Sequence, residues 1–145
     1  MGQIKVVVER SLAAPSDQVL DQVGDYAGTR GQLWPANITD YRVLTGGKGA
    51  GTRIGYRLHA TKKRIRAVEA EVSAPDQQTL VEADQNSTLR TTWLIRPDGT
   101  GSHVTVTTIW TGASGVGGFF EGIFAPIGVR KLWTAVLDNL AAILG

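Results

Sequence analysis

The sequence predicts an α+β domain in which a curved antiparallel sheet of about six to seven strands wraps around a long C-terminal helix. Three observations lead there. From Ile38 to Trp110 the apolar residues recur with period two, punctuated by turn-forming segments. Beyond that, Val129, Leu132, Trp133, Val136, Leu137, Leu140, Ile143 and Leu144 recur at spacings of three and four, which is one stripe of an α-helix. The strands also come in one consecutive run instead of alternating with helices, which argues for an antiparallel sheet.

Each element follows from local residues. Ile4 to Leu12 alternates as a strand. Pro15 suits a first helical turn, Asp17 is favourable near a helix N-terminus, and Val19, Leu20, Val23 and Tyr26 give a short amphipathic helix to about Tyr26. Gly28, Gly31 and Trp34-Pro35 mark irregular chain. Ile38 to Leu44 is a strand, and the glycine-rich Gly46 to Gly51 is a turn that needs positive φ. Thr52 to Ala60 puts Ile54, Tyr56 and Leu58 on one face, opposite Arg53, Arg57 and His59. A turn near Thr61-Lys62 leads into Arg64 to Ala74, with Val68, Ala70 and Val72 on one face; that turn predicts Arg53 opposite Glu69. Pro75 to Gln78 turns the chain into Thr79 to Asp84. Leu89, Thr91, Trp93 and Ile95 alternate in the next strand, Pro97 to Gly101 is a hairpin loop, and Val104, Val106, Thr108 and Trp110 alternate in the last strand. Between Gly112 and Gly128 six glycines surround Phe119, Phe120, Ile123 and Phe124. Pro126 predicts a kink or break before the final helix, expected to cover at least Arg130 to Ile143.

Composition narrows the classes. A chain of 145 residues, 42% apolar and 19% charged, is a single globular domain spanning residues 1–145. With no cysteine, disulfides and thiolate chemistry are excluded. His59 and His103 are the only imidazoles and have no helical ligand spacing, so no metal is expected. Nothing resembles a signal segment at the N-terminus, so a cytoplasmic location is the expectation. Glu121, Arg130, Lys131 and Asp138 interrupt the C-terminal apolar run, so no stable membrane insertion is expected. Eight bases and no acid fall between Tyr41 and Val68, and the acids Glu69, Glu71, Asp76, Glu82 and Asp84 follow with no base before Leu89. On adjacent strands such charges neutralise one another across the ladder. The basic stretch carries neither interleaved stacking aromatics nor a recognised motif, so nucleic acid is not an expected partner.

Few residues point to chemistry. Gly46 to Gly51 lacks the Lys-Ser/Thr of a phosphate loop and leads into a strand. Ser114 lacks a nucleophile-elbow context. Glu82 sits in a strand too short to fix its face; buried, it would be a candidate acid or base, and exposed, an ordinary surface carboxylate. The aromatic residues are the most informative set. Trp34, Tyr56, Trp93, Trp110, Phe119, Phe120, Phe124 and Trp133 fall on inward registers or in the glycine-rich run. Two readings stand: core filling, and the lining of a cavity between sheet and helix.

Several segments in order resemble those of the START/Bet v 1-like (SRPBCC) superfamily, the polyketide cyclase/dehydrase and lipid-transport group. They are Val6 to Pro15, Asp25-Tyr26 with Trp34-Pro35, Gly49 to Arg53, Val72 to Pro75, Thr92 to Gly101 followed by His103 to Val106, and Leu137 to Leu140. The resemblance covers essentially the whole chain and implies the helix-grip fold. It also implies a hydrophobic small molecule (lipid, sterol or polyketide-like) as partner, with no cofactor, in a monomer or homodimer. Trp34, Tyr56, Leu58, Arg66, Trp93, Trp110, Phe120, Phe124 and Trp133 are then the expected ligand-binding residues. Arg66 shares parity with the inward Val68 and is placed near the mouth. The alternative implied is an aromatase/cyclase or dehydratase acting on a polyketide-like substrate in the same cavity. It needs polar groups inside the pocket, and Tyr56, Arg66 and Glu82 are the candidates.

Overall fold

A computed structural model describes residues 3–59, 64–111 and 126–144. Its strands are β1 (Gln3–Leu12), β2 (Ile38–Thr45), β3 (Arg53–His59), β4 (Ile65–Asp76), β5 (Thr79–Asp84), β6 (Arg90–Asp98) and β7 (Gly101–Thr111). They form one seven-stranded sheet, ordered β1-β7-β6-β5-β4-β3-β2, with every neighbouring pair antiparallel. Helix α1 (Ser16–Val23) and a 3-10 turn (Thr29–Leu33) link β1 to β2, and helix α2 (Pro126–Leu144) closes the chain.

The concave face carries the residues that the alternation assigns to it. Ile54, Tyr56 and Leu58 of β3, Val68, Ala70 and Val72 of β4, Trp93 and Ile95 of β6, and Val104, Val106 and Trp110 of β7 are all buried. They pack with Val129, Leu132, Trp133, Val136, Leu137 and Leu140 of α2 in one core. At ~1.5–3 kcal/mol for each large apolar side chain fully buried, this seam is the main favourable term holding the helix to the sheet. Side-chain ties to β1 fix its axial position: Arg10 pairs with Asp138, and Arg130 Nη1 donates to the Val7 carbonyl at 2.9 Å. Helix α2 is described from Pro126; the kink or break expected before it falls on residues outside those described. The stripe ends differently from expectation, because Ile143 is 47% exposed while Leu144 packs on the core. One turn beyond Leu140 falls at Leu144, and Ile143 has rotated outward.

Other boundaries shift for local reasons. Helix α1 stops at Val23, with the Gly24 N–H bonded to the Leu20 carbonyl, so Tyr26 lies beyond the helix and is fully buried. Strand β2 contains a register shift around Asp40, a non-glycine residue at φ 56°. The Gly46–Gly51 turn does use the left-handed region, with Gly46 at φ 71° and no room for a Cβ against Thr52 Cα. Arg53 stands opposite Glu71 and not Glu69, with Arg53 Nη2 to Glu71 Oε2 at 3.1 Å. That two-residue displacement preserves which face each side chain takes. The alternation of buried residues fixes parity, but the sequence of a connecting loop does not fix its length.

Candidate functional site

The polar centre of the concave face is an ion pair that joins the irregular segment after α1 to the middle of the sheet. Glu82 of β5 lies opposite Val72 on one side and Thr91 on the other, both inward residues, so its carboxylate points into the core. There it accepts a hydrogen bond from the Tyr26 hydroxyl at 2.7 Å and two from Arg30 Nη2, at 3.0 and 3.3 Å. The Arg30 side chain is 0% exposed and that of Glu82 4%.

Arg30 reaches this position because the 3-10 turn folds tightly onto the sheet. A Cβ on Gly31 would stand 2.6 Å from the Tyr41 ring, so only glycine lets the turn approach β2 this closely. Tyr41 donates its hydroxyl to the Tyr26 carbonyl at 2.6 Å, and Asn139 of α2 donates to the Leu33 carbonyl at 2.9 Å. The turn is thus pinned from both the sheet and the helix.

Four rings surround the guanidinium. Arg30 Cζ lies 4.3 Å from the Trp34 ring centroid, 5.2 Å from Trp93, 5.7 Å from Trp133 and 5.8 Å from Tyr26. Such distances give cation–π attraction, worth up to ~2 kcal/mol or more when desolvated. The rings also contact one another: Trp34 is 4.7 Å from Tyr56 and 5.6 Å from Trp133, and Trp93 meets Trp133 edge-on at 5.7 Å. Among the described residues, Arg30 Nε and Nη1 and the indole Nε1 atoms of Trp34 and Trp93 are buried donors with no hydrogen-bond acceptor. A buried donor left unsatisfied costs about 1–3 kcal/mol. Four such donors fall on three neighbouring residues.

Protonation follows from the surroundings. Burial first, then the Glu82 charge, pushes the Tyr26 phenol well above its usual range. Burial also raises Tyr56 strongly and lifts Tyr41 to about 12. Burial acts to lower the Arg30 pKa, but the Glu82 carboxylate outweighs it and holds the guanidinium above its ordinary value. The network therefore places a charged guanidinium and a neutral phenol on one carboxylate, a set that can bind an oxygen and relay a proton.

Trp34, Tyr56, Trp93 and Trp133, expected from the sequence, are brought together here, and Glu82 joins them. Leu58 and Trp110 are buried in the same core, towards opposite ends of the sheet order, on β3 and β7. Arg66 takes the inward register opposite Leu58, but its Nη2 donates to the Asn86 carbonyl at 2.7 Å, at the turn between β5 and β6. The guanidinium on Glu82 belongs to Arg30. Phe120 and Phe124 lie outside the described residues. Arg30 was not singled out from the sequence, because the aperiodic stretch around it gives no register; Tyr26 was read as the last apolar residue of the first helix and not as a site residue. Beside the cage, a cleft of about 510 Å³ between α2 and the loop before β2 is lined by Pro35, Asn37, His59, Ile127, Gly128, Lys131, Leu132 and Ala135. Among the described residues no helix is long and apolar enough to cross a membrane, and no group of three or more His, Asp or Glu side chains could hold a metal ion.

The chain has relatives among known proteins. The family model described as "Polyketide cyclase / dehydrase and lipid transport" matches residues 3–145. The solution structure of KanY protein is 42% identical, with 99% of each chain covered and a TM-score of 0.89. Major latex-like protein 151 from Panax ginseng is 12% identical over 98% of this chain and 97% of its own, with a TM-score of 0.74. A protein from Thermus thermophilus is 19% identical over 98% of this chain and 100% of its own, with a TM-score of 0.72. The last two show the fold alone, the Bet v 1-like helix grip. No curated protein matches the chain.

Proposed function

The chain belongs to the polyketide cyclase/dehydrase and lipid transport family, and from that premise we propose that it binds a hydrophobic small molecule between the concave sheet and α2. The observation that carries this reading is the cage of Trp34, Trp93 and Trp133 around Arg30, with buried donors that no acceptor among the described residues satisfies. Core filling alone accounts for the rings but not for polar hydrogens left without acceptors in an apolar interior. An apolar ligand bearing an oxygen supplies both the contact area and the missing acceptor. Tyr56, Leu58 and Trp110 add to the apolar wall, with Phe120 and Phe124 as further candidates from the sequence and Arg66 at the rim. The cleft beside Pro35 and Leu132 is the entrance.

A second reading, a cyclase or dehydratase acting on a polyketide-like substrate, draws on the Tyr26–Glu82–Arg30 network. Arg30 would hold a developing enolate oxygen while Glu82, relaying through Tyr26, exchanges a proton. Binding is tested by titrating a hydrophobic fluorophore such as anilinonaphthalene sulfonate and displacing it with fatty acids, sterols and aromatic ketones. Micromolar displacement by one class supports the proposal; failure of the fluorophore to bind the folded protein rejects it. Turnover of a poly-β-ketone mimic that is lost in Glu82→Gln would move the assignment from carrier to enzyme.

A further inference from the structure

We propose that Ser11, His103 and Glu9 form a hydrolytic centre on the convex face of the sheet, acting on small, reactive esters. The alternation of β1 and β7 creates it. Leu12 and Val104 are buried on the concave side, so Glu9, Ser11 and His103 stand on the other. Ser11 lies directly opposite His103, and Glu9, two residues back, lies opposite Thr105. Two backbone details bring the first pair close. The Val7 carbonyl accepts from Arg130, and the Thr111 N–H turns to Thr88 Oγ1 on the β6 side, away from β1. The backbone groups of Val7, Glu9 and Ser11 therefore face the open edge, since β1 ends the sheet. Ser11 and His103 are thus a pair without mutual backbone bonds, the kind whose side chains stand nearest.

The hydrogen bonds assign the roles. His103 Nε2 is 2.9 Å from Glu9 Oε1, and its Nδ1 is 3.2 Å from Ser11 Oγ. A carboxylate only accepts, so Nε2 carries the ring proton, and in the neutral imidazole Nδ1 offers a lone pair. The Ser11 hydroxyl then donates, with its proton aimed at a base. Thr105 Oγ1 donates to the same Glu9 oxygen at 3.5 Å. The ring runs the opposite way from the serine-protease arrangement, but the proton path is equivalent. Ser11 Oγ attacks an ester carbonyl carbon as its proton passes to Nδ1. Collapse breaks the bond to the alkoxy oxygen, which leaves as the alcohol with that proton. Water repeats the step on the acyl-serine, releasing the acid and restoring Ser11. The Ser11 N–H, on the open edge, is a donor for the charge that develops on the carbonyl oxygen. The side chains of His103 and Glu9 are 37% and 57% exposed, an open setting that suits aryl esters with small acyl groups.

The experiment uses two probes at about pH 8, above the ordinary imidazole pKa of about 6.5. A fluorophosphonate turns an activated serine into a stable phosphonate ester with loss of fluoride, and 4-nitrophenyl acetate reports turnover. Peptide mass spectrometry is expected to place the label on Ser11. Ser11→Ala should abolish labelling, and His103→Gln should slow both reactions by at least ~10²-fold. Glu9 acts through the ring and is a positioning residue. Glu9→Gln can donate to Nε2 and admit the opposite tautomer, so labelling should slow by about tenfold or more. The ring nitrogen NMR signals should show the proton moving to Nδ1 in that variant, and Glu9→Asp should keep it on Nε2. Labelling of Ser11 that is equally fast without His103 overturns the inference. So does a label carried by a lysine or His59 instead, or no label at all. Each of these outcomes leaves the binding reading intact, because the centre and the core lie on opposite faces of the sheet.

Discussion

Arg30 and Glu82 meet at 3.0 Å with side chains 0% and 4% exposed, whereas Arg53 and Glu71 meet at 3.1 Å with 43% and 54% exposed. The bond lengths are nearly the same and the consequences differ. Water screens the outer pair, and its two long side chains lose rotamer freedom, so it contributes little. The inner pair has given up hydration that its mutual attraction only partly returns, which makes it a poor device for stability. Its placement beneath three tryptophans, with two guanidinium nitrogens left over, suits a binding device instead. The outer pair holds a hairpin register; the inner pair lies at the centre of the proposed site.

Breaking one partner should separate the two most sharply. Glu82→Ala leaves Arg30 charged and unpaired in the core, and a loss of ~3–5 kcal/mol in chemical denaturation is expected. A loss below ~1 kcal/mol would mean that water reaches the pair. Replacing the inner pair as a unit sharpens the point: Arg30→Met with Glu82→Leu and Tyr26→Phe should be neutral or stabilising by ~1–4 kcal/mol. The same variant should lose affinity for the hydrophobic fluorophore. A large destabilisation instead would show that the network serves the fold and not the site.

Alkaline titration probes the inner region through its phenols. Tyr26, Tyr41 and Tyr56 all have pKa values raised by burial, Tyr41 to about 12. Between the unfolded value near 10 and the folded values, the folded state holds more protons than the unfolded one. Their stabilisation is therefore complete below pH 10 and is lost as the pH rises towards 12 and beyond. The melting temperature should be flat with respect to these groups up to pH 9 and fall steeply above 10. Tyr41→Phe should reduce the slope, and an unchanged slope would mean that Tyr41 titrates normally. The smallest effect belongs to the outer pair: a double-mutant cycle on Arg53 and Glu71 should give a coupling of ~0.2–1 kcal/mol that fades in high salt. A coupling between Arg53 and Glu69 in its place would restore the register read from the sequence.

The sequence by itself determined the architecture and the parity of its strands. Period two from Ile38 to Trp110 and the stripe from Val129 to Leu140 put Tyr56, Trp93 and Trp133 on facing surfaces, because burial of apolar area selects one face of each element and propagates along it. The same logic could have placed Glu82 inward once the register of β5 was known, since Val72 and Thr91 flank it. Alternation within that strand is silent, because Leu80 and Val81 are both buried. Only the tertiary structure decided Arg30. Between Gly24 and Asn37 there is no period to read, and an arginine between glycines looks like a solvated loop residue. What carried it inside was the convergence of distant groups: the Tyr41 ring against Gly31, Asn139 on the Leu33 carbonyl, and Glu82 waiting across the sheet. Local pattern reports which way a regular element faces. A buried charge depends on partners far apart in the chain, and those meet only when the fold closes.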